Sequence, residues 1–84
     1  MKYVVEISAT ARKQLKRIPK SYKKKILDKI DSLSHHPRPF GYKKLFYYTE
    51  YFRVRVGNYR IIYTISDGQL LVVIVEVTDR RDAY

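Results

Sequence analysis

The spacing of apolar residues changes period once along this chain, near residue 40. Before that point it is mostly helical. Lys2 to Ile7 is rich in Val and Ile and alternates loosely, which predicts a strand. Ala11, Leu15 and Ile18 then recur at i, i+4 and i+7, the stripe of an amphipathic helix, with Ser8 placed to cap it. Pro19 ends this helix, because proline disfavours helical geometry in the residue before it. A second helix is expected to start near Ser21, again a good N-cap. Its stripe is Tyr22, Ile26, Ile30 and Leu33, widened by Leu27, and Lys23, Lys24, Lys25 and Lys29 take the opposite side. His35-His36-Pro37 closes it, and the short break between the helices makes an αα-hairpin.

HHPRPFGY is a loop, and after it the period is two. Lys44 to Tyr48 reads as a short strand and Phe52 to Val56 as a full one. A Gly57-Asn58 turn follows, then Tyr59 to Ile65, an Asp67-Gly68 turn, and Leu70 to Val77. The order β-α-α-β-β-β-β predicts an α+β fold: an antiparallel sheet packed on a two-helix hairpin, one domain over residues 1–84.

Alternation divides the central hairpin into two faces. With Gly57-Asn58 as a two-residue turn, Val56 faces Tyr59, Arg55 faces Arg60, Val54 faces Ile61 and Arg53 faces Ile62. Phe52, Val54, Val56, Tyr59, Ile61, Tyr63 and Ile65 then form an apolar surface for the helices. Arg53, Arg55, Arg60, Ile62 and Thr64 occupy the other side. A three-residue second turn (Asp67, Gly68, Gln69) would set Arg60 opposite Glu76 and add Ile74, Glu76, Thr78 and Arg80 to the arginine side. A two-residue turn would instead turn Arg80 toward the helices, a costly burial, so the longer turn is expected.

Composition adds a partner to this picture. Eighteen Lys and Arg against eight Asp and Glu give a formal charge of +10, which suits a polyanion or an acidic protein. Like charges opposite each other in a sheet repel, and arginines grip phosphate bidentately, so Arg53, Arg55 and Arg60 are read as a phosphate-binding floor. Nothing in the sequence suggests a disulfide, a metal-ligand set or a spanning segment. There is no cysteine, and the longest apolar run is Leu70 to Val75. The expectation is a soluble, cytoplasmic protein with no membrane association and no cofactor. The histidine pair is read as a helix C-cap, where a cation suits the dipole.

YVVEISATARKQLKRI, the KKL at Lys43 to Leu45, FRVRVGNYRIIYTI and the terminal VTDRRDAY together resemble the RelE/ParE superfamily of toxin–antitoxin toxins, RelE-like members above all. The resemblance implies a toxin held by a cognate acidic antitoxin in a hetero-oligomer. It also implies one of two actions: cleavage of mRNA on the ribosome, or inhibition of DNA gyrase without nuclease activity. A nucleic-acid-binding module without activity is a third reading. For a nuclease, the site residues carried over are Arg53, Arg55, Arg60, Arg80 and Tyr84. The 2′-OH would attack the adjacent phosphate, leaving a 2′,3′-cyclic phosphate. Arg60 would hold the scissile phosphate, Arg80 serve the leaving oxygen and Tyr84 stack on or orient a base. Lys43, Lys44 and Arg81 are expected to contact mRNA or 16S rRNA. The antitoxin is expected to lie over Arg53, Arg55, Arg60, Ile62 and Ile74. Asp79 stands where many relatives have histidine, and arginine is a poor general base, so Glu50, Glu76, Asp79 or the ribosome itself would have to fill that role.

Overall fold

In a computed structural model, which describes residues 2–45 and 50–79, the predicted order is observed: β1 (Val4–Ile7), α1 (Ala9–Lys16), α2 (Lys20–His35), β2 (Lys43–Lys44), β3 (Tyr51–Val56), β4 (Tyr59–Ser66) and β5 (Leu71–Asp79). The strands form one sheet in the order β1-β5-β4-β3-β2. β2 to β5 are an antiparallel meander. β1 lies parallel to β5, so the sheet is mixed and not wholly antiparallel. The reason is in the connections: hairpins force antiparallel pairing, whereas β1 reaches β5 only through the rest of the chain, and no turn fixes its direction.

The helices form where the apolar spacing places them. Ser8 caps α1, its Oγ accepting from the Ala11 N–H at 3.0 Å. The N-cap of α2 lies two residues before the expected one. Ser21 lies inside it, and Pro19 holds the N-cap position, its carbonyl accepting from the Tyr22 and Lys23 N–H groups. Proline's fixed φ and its missing N–H cost little at a helix start, so no serine is needed there. Ile26, Ile30 and Leu33 are buried with Ala11, Leu15 and Ile18. Leu27 does not widen the stripe; it is exposed, as is Tyr22. Tyr22 instead packs its ring on the β3–β4 turn, at 5.5 Å from the Tyr59 ring and against Gly57.

The core lies between these helices and one face of the sheet. Val54, Ile61, Tyr63, Val72, Ile74 and Val77 are its strand residues, with Val5 and Ile7 of β1 packed alongside. Tyr63 is fully buried, and its hydroxyl donates to the Pro37 carbonyl at 2.7 Å. The loop after α2 is fastened a second time. Arg38 makes a bidentate contact with Asp67, which also accepts from the Tyr3 hydroxyl. These two bonds, Arg38's first, hold the Asp67 carboxyl down at a pKa of about 2.

α1 also closes the edge of β5 that β1 leaves uncovered. Ser8 Oγ donates to the Val75 carbonyl, and Gln14 Oε1 accepts from the Val77 N–H at 2.6 Å. Two polar side chains thus stand in for a missing strand and satisfy backbone groups that burial would otherwise orphan.

Candidate phosphate-binding face

The β3–β4 hairpin has the register that alternation predicts: Val56 opposite Tyr59, Arg55 opposite Arg60, Val54 opposite Ile61 and Arg53 opposite Ile62. The turn is left-handed at Gly57 alone (φ 58°), the type II′ pattern that matches strand twist and favours glycine at its first central position. Arg53, Arg55 and Arg60 therefore share the face turned away from the helices. β2 adds to it, because Lys43 is opposite Arg53. Lys44 is opposite Phe52 and so falls on the helix side of the sheet edge; both lysines are exposed.

The β4–β5 turn departs from the expected three residues. It has four, Asp67 to Leu70, with Ser66 opposite Leu71. Leu70 takes the left-handed conformation (φ 50°), and its carbonyl accepts from the Val4 N–H at 2.7 Å, which begins the pairing of β1 with β5. Continued unchanged, this register would turn Glu76 into the core. A β-bulge prevents that: Tyr63 is opposite Ile74 but Ile62 is opposite Glu76, so Val75 is the extra residue. Beyond the bulge Val77 enters the core, and Glu76 and Thr78 join the arginine face.

Two site expectations are corrected by this register. Ile74 does not share the arginine face; it lies before the bulge, opposite Tyr63, and is fully buried in the core. Arg60 is opposite Thr78, not Glu76. Ile62 does lie on the arginine face, between Arg53 and Glu76 in register, but at 8% exposure it offers little apolar surface to a partner. Neither the two-residue nor the three-residue turn gives this arrangement, because both assume an unbroken strand.

The site at the Gly57 end is polar and uncompensated. Arg55 is exposed and Arg60 half-buried, and among the described residues neither makes an ion pair. Arg60 Nε and Thr78 Oγ1 are buried without a hydrogen-bond partner. These two residues are cross-strand neighbours, so two unsatisfied polar atoms belong to adjacent side chains. Such atoms cost about 1–3 kcal/mol each when left unmade, and each calls for a partner such as a bound water, an ion or a ligand. Thr78 was legible as a member of this face but not as a site residue; its signal is visible only once the bulge sets it beside Arg60.

The acids separate as well. Glu76 shares the arginine face. Asp79 is opposite Tyr59, on the helix side, and lines a cleft of about 460 Å³ with Gln14, Arg17 and Tyr59. Glu50 is exposed in the turn before β3. Among the described residues, no group of His, Asp or Glu has the geometry to hold a metal ion, and no helix is long and apolar enough to cross a membrane. Arg80, Arg81 and Tyr84 lie outside the described residues, as does most of the expected Lys44–Tyr48 strand.

The fold and this face define a small basic domain: a helical hairpin on one side of a sheet, and an arginine cluster on the other. Comparison with known proteins shows which family it is. Residues 5–84 match the family described as ParE toxin of type II toxin–antitoxin system, parDE, and the chain belongs to this family of the RelE/ParE superfamily. A Methanocaldococcus jannaschii protein named RelE1 is 34% identical over 87 residues, covering 100% of this chain and 97% of that one. The toxin–antitoxin complex RelBE2 of Mycobacterium tuberculosis contains a chain that superposes with a TM-score of 0.85 at 30% identity, covering 95% of this chain and 100% of that one. The RelE–RelB complex of Pyrococcus horikoshii OT3 gives a TM-score of 0.83 at 29% identity, covering 95% and 97%.

Proposed function

We propose that this toxin is a ribosome-dependent endoribonuclease that inhibits translation by cutting mRNA, and that an acidic antitoxin restrains it. The observation that carries this reading is the cross-strand pair Arg55–Arg60, held, among the described residues, with no acid paired to either and with the Arg60 Nε and Thr78 Oγ1 beside it unsatisfied. A phosphodiester supplies what that cluster lacks: a negative charge and acceptor oxygens. In this reading Arg60 holds the scissile phosphate and offsets the charge that builds on it as the 2′-OH attacks, giving a 2′,3′-cyclic phosphate. Glu76, the acid that shares the face, accepts the 2′-OH proton, a task for which arginine is unsuited. Arg53 and Lys43, opposite each other, steer the RNA backbone. Arg80 serves the leaving oxygen, Tyr84 stacks on a base, and Lys44 and Arg81 contact RNA outside the cut. The chain is cytoplasmic in this reading, where ribosomes are. Similarity to chains solved in RelB–RelE complexes supports the antitoxin as partner.

Primer extension on translated mRNA after expression of the chain tests this. Cuts within codons at the ribosomal A site are expected, and Arg60→Ala should lower cleavage on the order of 10²–10³-fold while the folded melting curve persists. A gyrase-directed reading is favoured by one observation, the ParE description of the matched family. Blocked supercoiling with intact mRNA in the same experiment would select it and overturn the nuclease.

A further inference from the structure

We infer that the groove between α2 and the open end of β3 is a second RNA-backbone track, continuous with the arginine face through Arg55. It rests on the reading above only for the choice of RNA as the polyanion. Strand β2 pairs with β3 at Phe52 and Arg53, so among the described residues Val54 to Val56 have no strand on that side. α2 runs past this open edge. The groove between them, about 470 Å³, is lined by Lys25, Asp28, Lys29, Ser32, Arg55 and Val56.

Three features make this a phosphate track. The lining holds three cations against the single carboxylate of Asp28, and among the described residues none of the four forms an ion pair. The Ser32 hydroxyl is occupied with the Lys29 carbonyl at 2.6 Å, which leaves the cations as the side-chain donors available to a ligand. Lys25 and Lys29 are one helical turn apart, a rise of about 6 Å, comparable to the step between successive phosphates on a single strand. Arg55 stands at the junction: it is opposite Arg60 in the sheet and also lines the groove. A strand whose scissile phosphate sits at Arg60 can therefore cross the edge of β3 at Arg55 and continue along α2. Lys25 and Lys29, which the sequence sets opposite the apolar stripe of α2, then have a direction and a ligand.

The test is fluorescence anisotropy with an end-labelled 2′-O-methyl RNA oligonucleotide, which binds but cannot be cut, over a series of salt concentrations. The wild type is compared with Lys25→Gln/Lys29→Gln and with a control of equal charge change on α1, Lys13→Gln/Lys16→Gln. Each phosphate contact to a single strand contributes about 0.7 to the slope of log affinity against log salt. The groove variant should lose about 1.4 from that slope, and the α1 control should keep it. Equal losses in both variants, or none in the groove variant, would overturn the proposal. So would a groove variant that binds RNA like the wild type but loses affinity for the acidic antitoxin, because the groove would then be a protein interface. The two readings fail separately. A slope change without cuts on translating ribosomes removes the nuclease and keeps the track; cuts with an unchanged slope remove only the track.

Discussion

The two faces of the β3–β4 hairpin are built from alternating residues of the same two strands and obey opposite rules. On the helix side, Val54, Ile61 and Tyr63 are 2%, 0% and 0% exposed, and Tyr63, the polar one, has its hydroxyl paired. On the other side, two arginines oppose each other with no acid paired to them among the described residues, and Arg60 and Thr78 each hold a buried atom without a partner there. One face is packed and its polar hydroxyl paired; the other, among the described residues, leaves two buried polar atoms unmatched. The packed face and the open face are thus separated by a single step along the chain, from Arg60 to Ile61. That difference says where a protein of this size can tolerate frustration: on the outer face of a sheet whose inner face is well packed.

The largest expected effect comes from breaking the packed face. Ile61→Ala removes a fully buried side chain from the centre of the core and should cost about 2–5 kcal/mol. That is a large part of the roughly 5–15 kcal/mol available to a small domain. Urea unfolding followed by circular dichroism checks it. Arg60→Ala, its neighbour, loses the packing of a half-buried stem but is relieved of the Arg55 repulsion and of an unsatisfied Nε, so the midpoint should not fall comparably. If the two cost the same, the faces are not energetically separate and the comparison fails.

A smaller effect sharpens the contrast within the packed face. Burial pushes the Tyr63 hydroxyl pKa up, so it remains a donor at any ordinary pH. Tyr63→Phe keeps the ring but leaves the Pro37 carbonyl without its donor, at a cost of about 1–3 kcal/mol. Because that bond fastens the loop leading to β2, amide exchange in residues 38–44 should speed up more than in β4. Uniform acceleration would mean that the loop is held by other contacts, Arg38–Asp67 foremost.

Much of this was legible in the sequence because alternation is a local rule. The Gly57-Asn58 turn fixed the register of β3 on β4, and with it the common face of Arg53, Arg55 and Arg60. The β5 side was not legible, for a physical reason. A left-handed Leu70 lengthens the turn by one residue, and the Val75 bulge then shifts the strand by one more. Each is a backbone event with no fixed residue signature; the longer turn moves Ile74 into the core, and the bulge then returns Glu76 and Thr78 to the arginine face where they are expected. The Asp67-Gly68 pair suggested a glycine-centred turn, yet the left-handed residue is a leucine whose carbonyl is needed by Val4. The parallel direction of β1 was hidden in the same way, since no turn joins it to its partner.

The smallest expected effect tests whether the open face gives up stability for its charge. Arg55 and Arg60 are directly opposite, and a like-charged cross-strand pair is worth roughly 0.2–1 kcal/mol of destabilisation. Arg55→Thr removes the repulsion and places a β-favouring residue at an exposed strand position. Thermal melting should therefore show a rise of up to about 4–8 °C, the shift that 1 kcal/mol gives in a domain of this size. The same variant should bind the uncuttable RNA more weakly, with a salt slope lower by about 0.7. A gain in one measurement and a loss in the other is the outcome expected of a site residue. A variant that is both less stable and unchanged in RNA binding would show that the two guanidiniums support the sheet, for instance by stacking, and that the arginine face is structural after all.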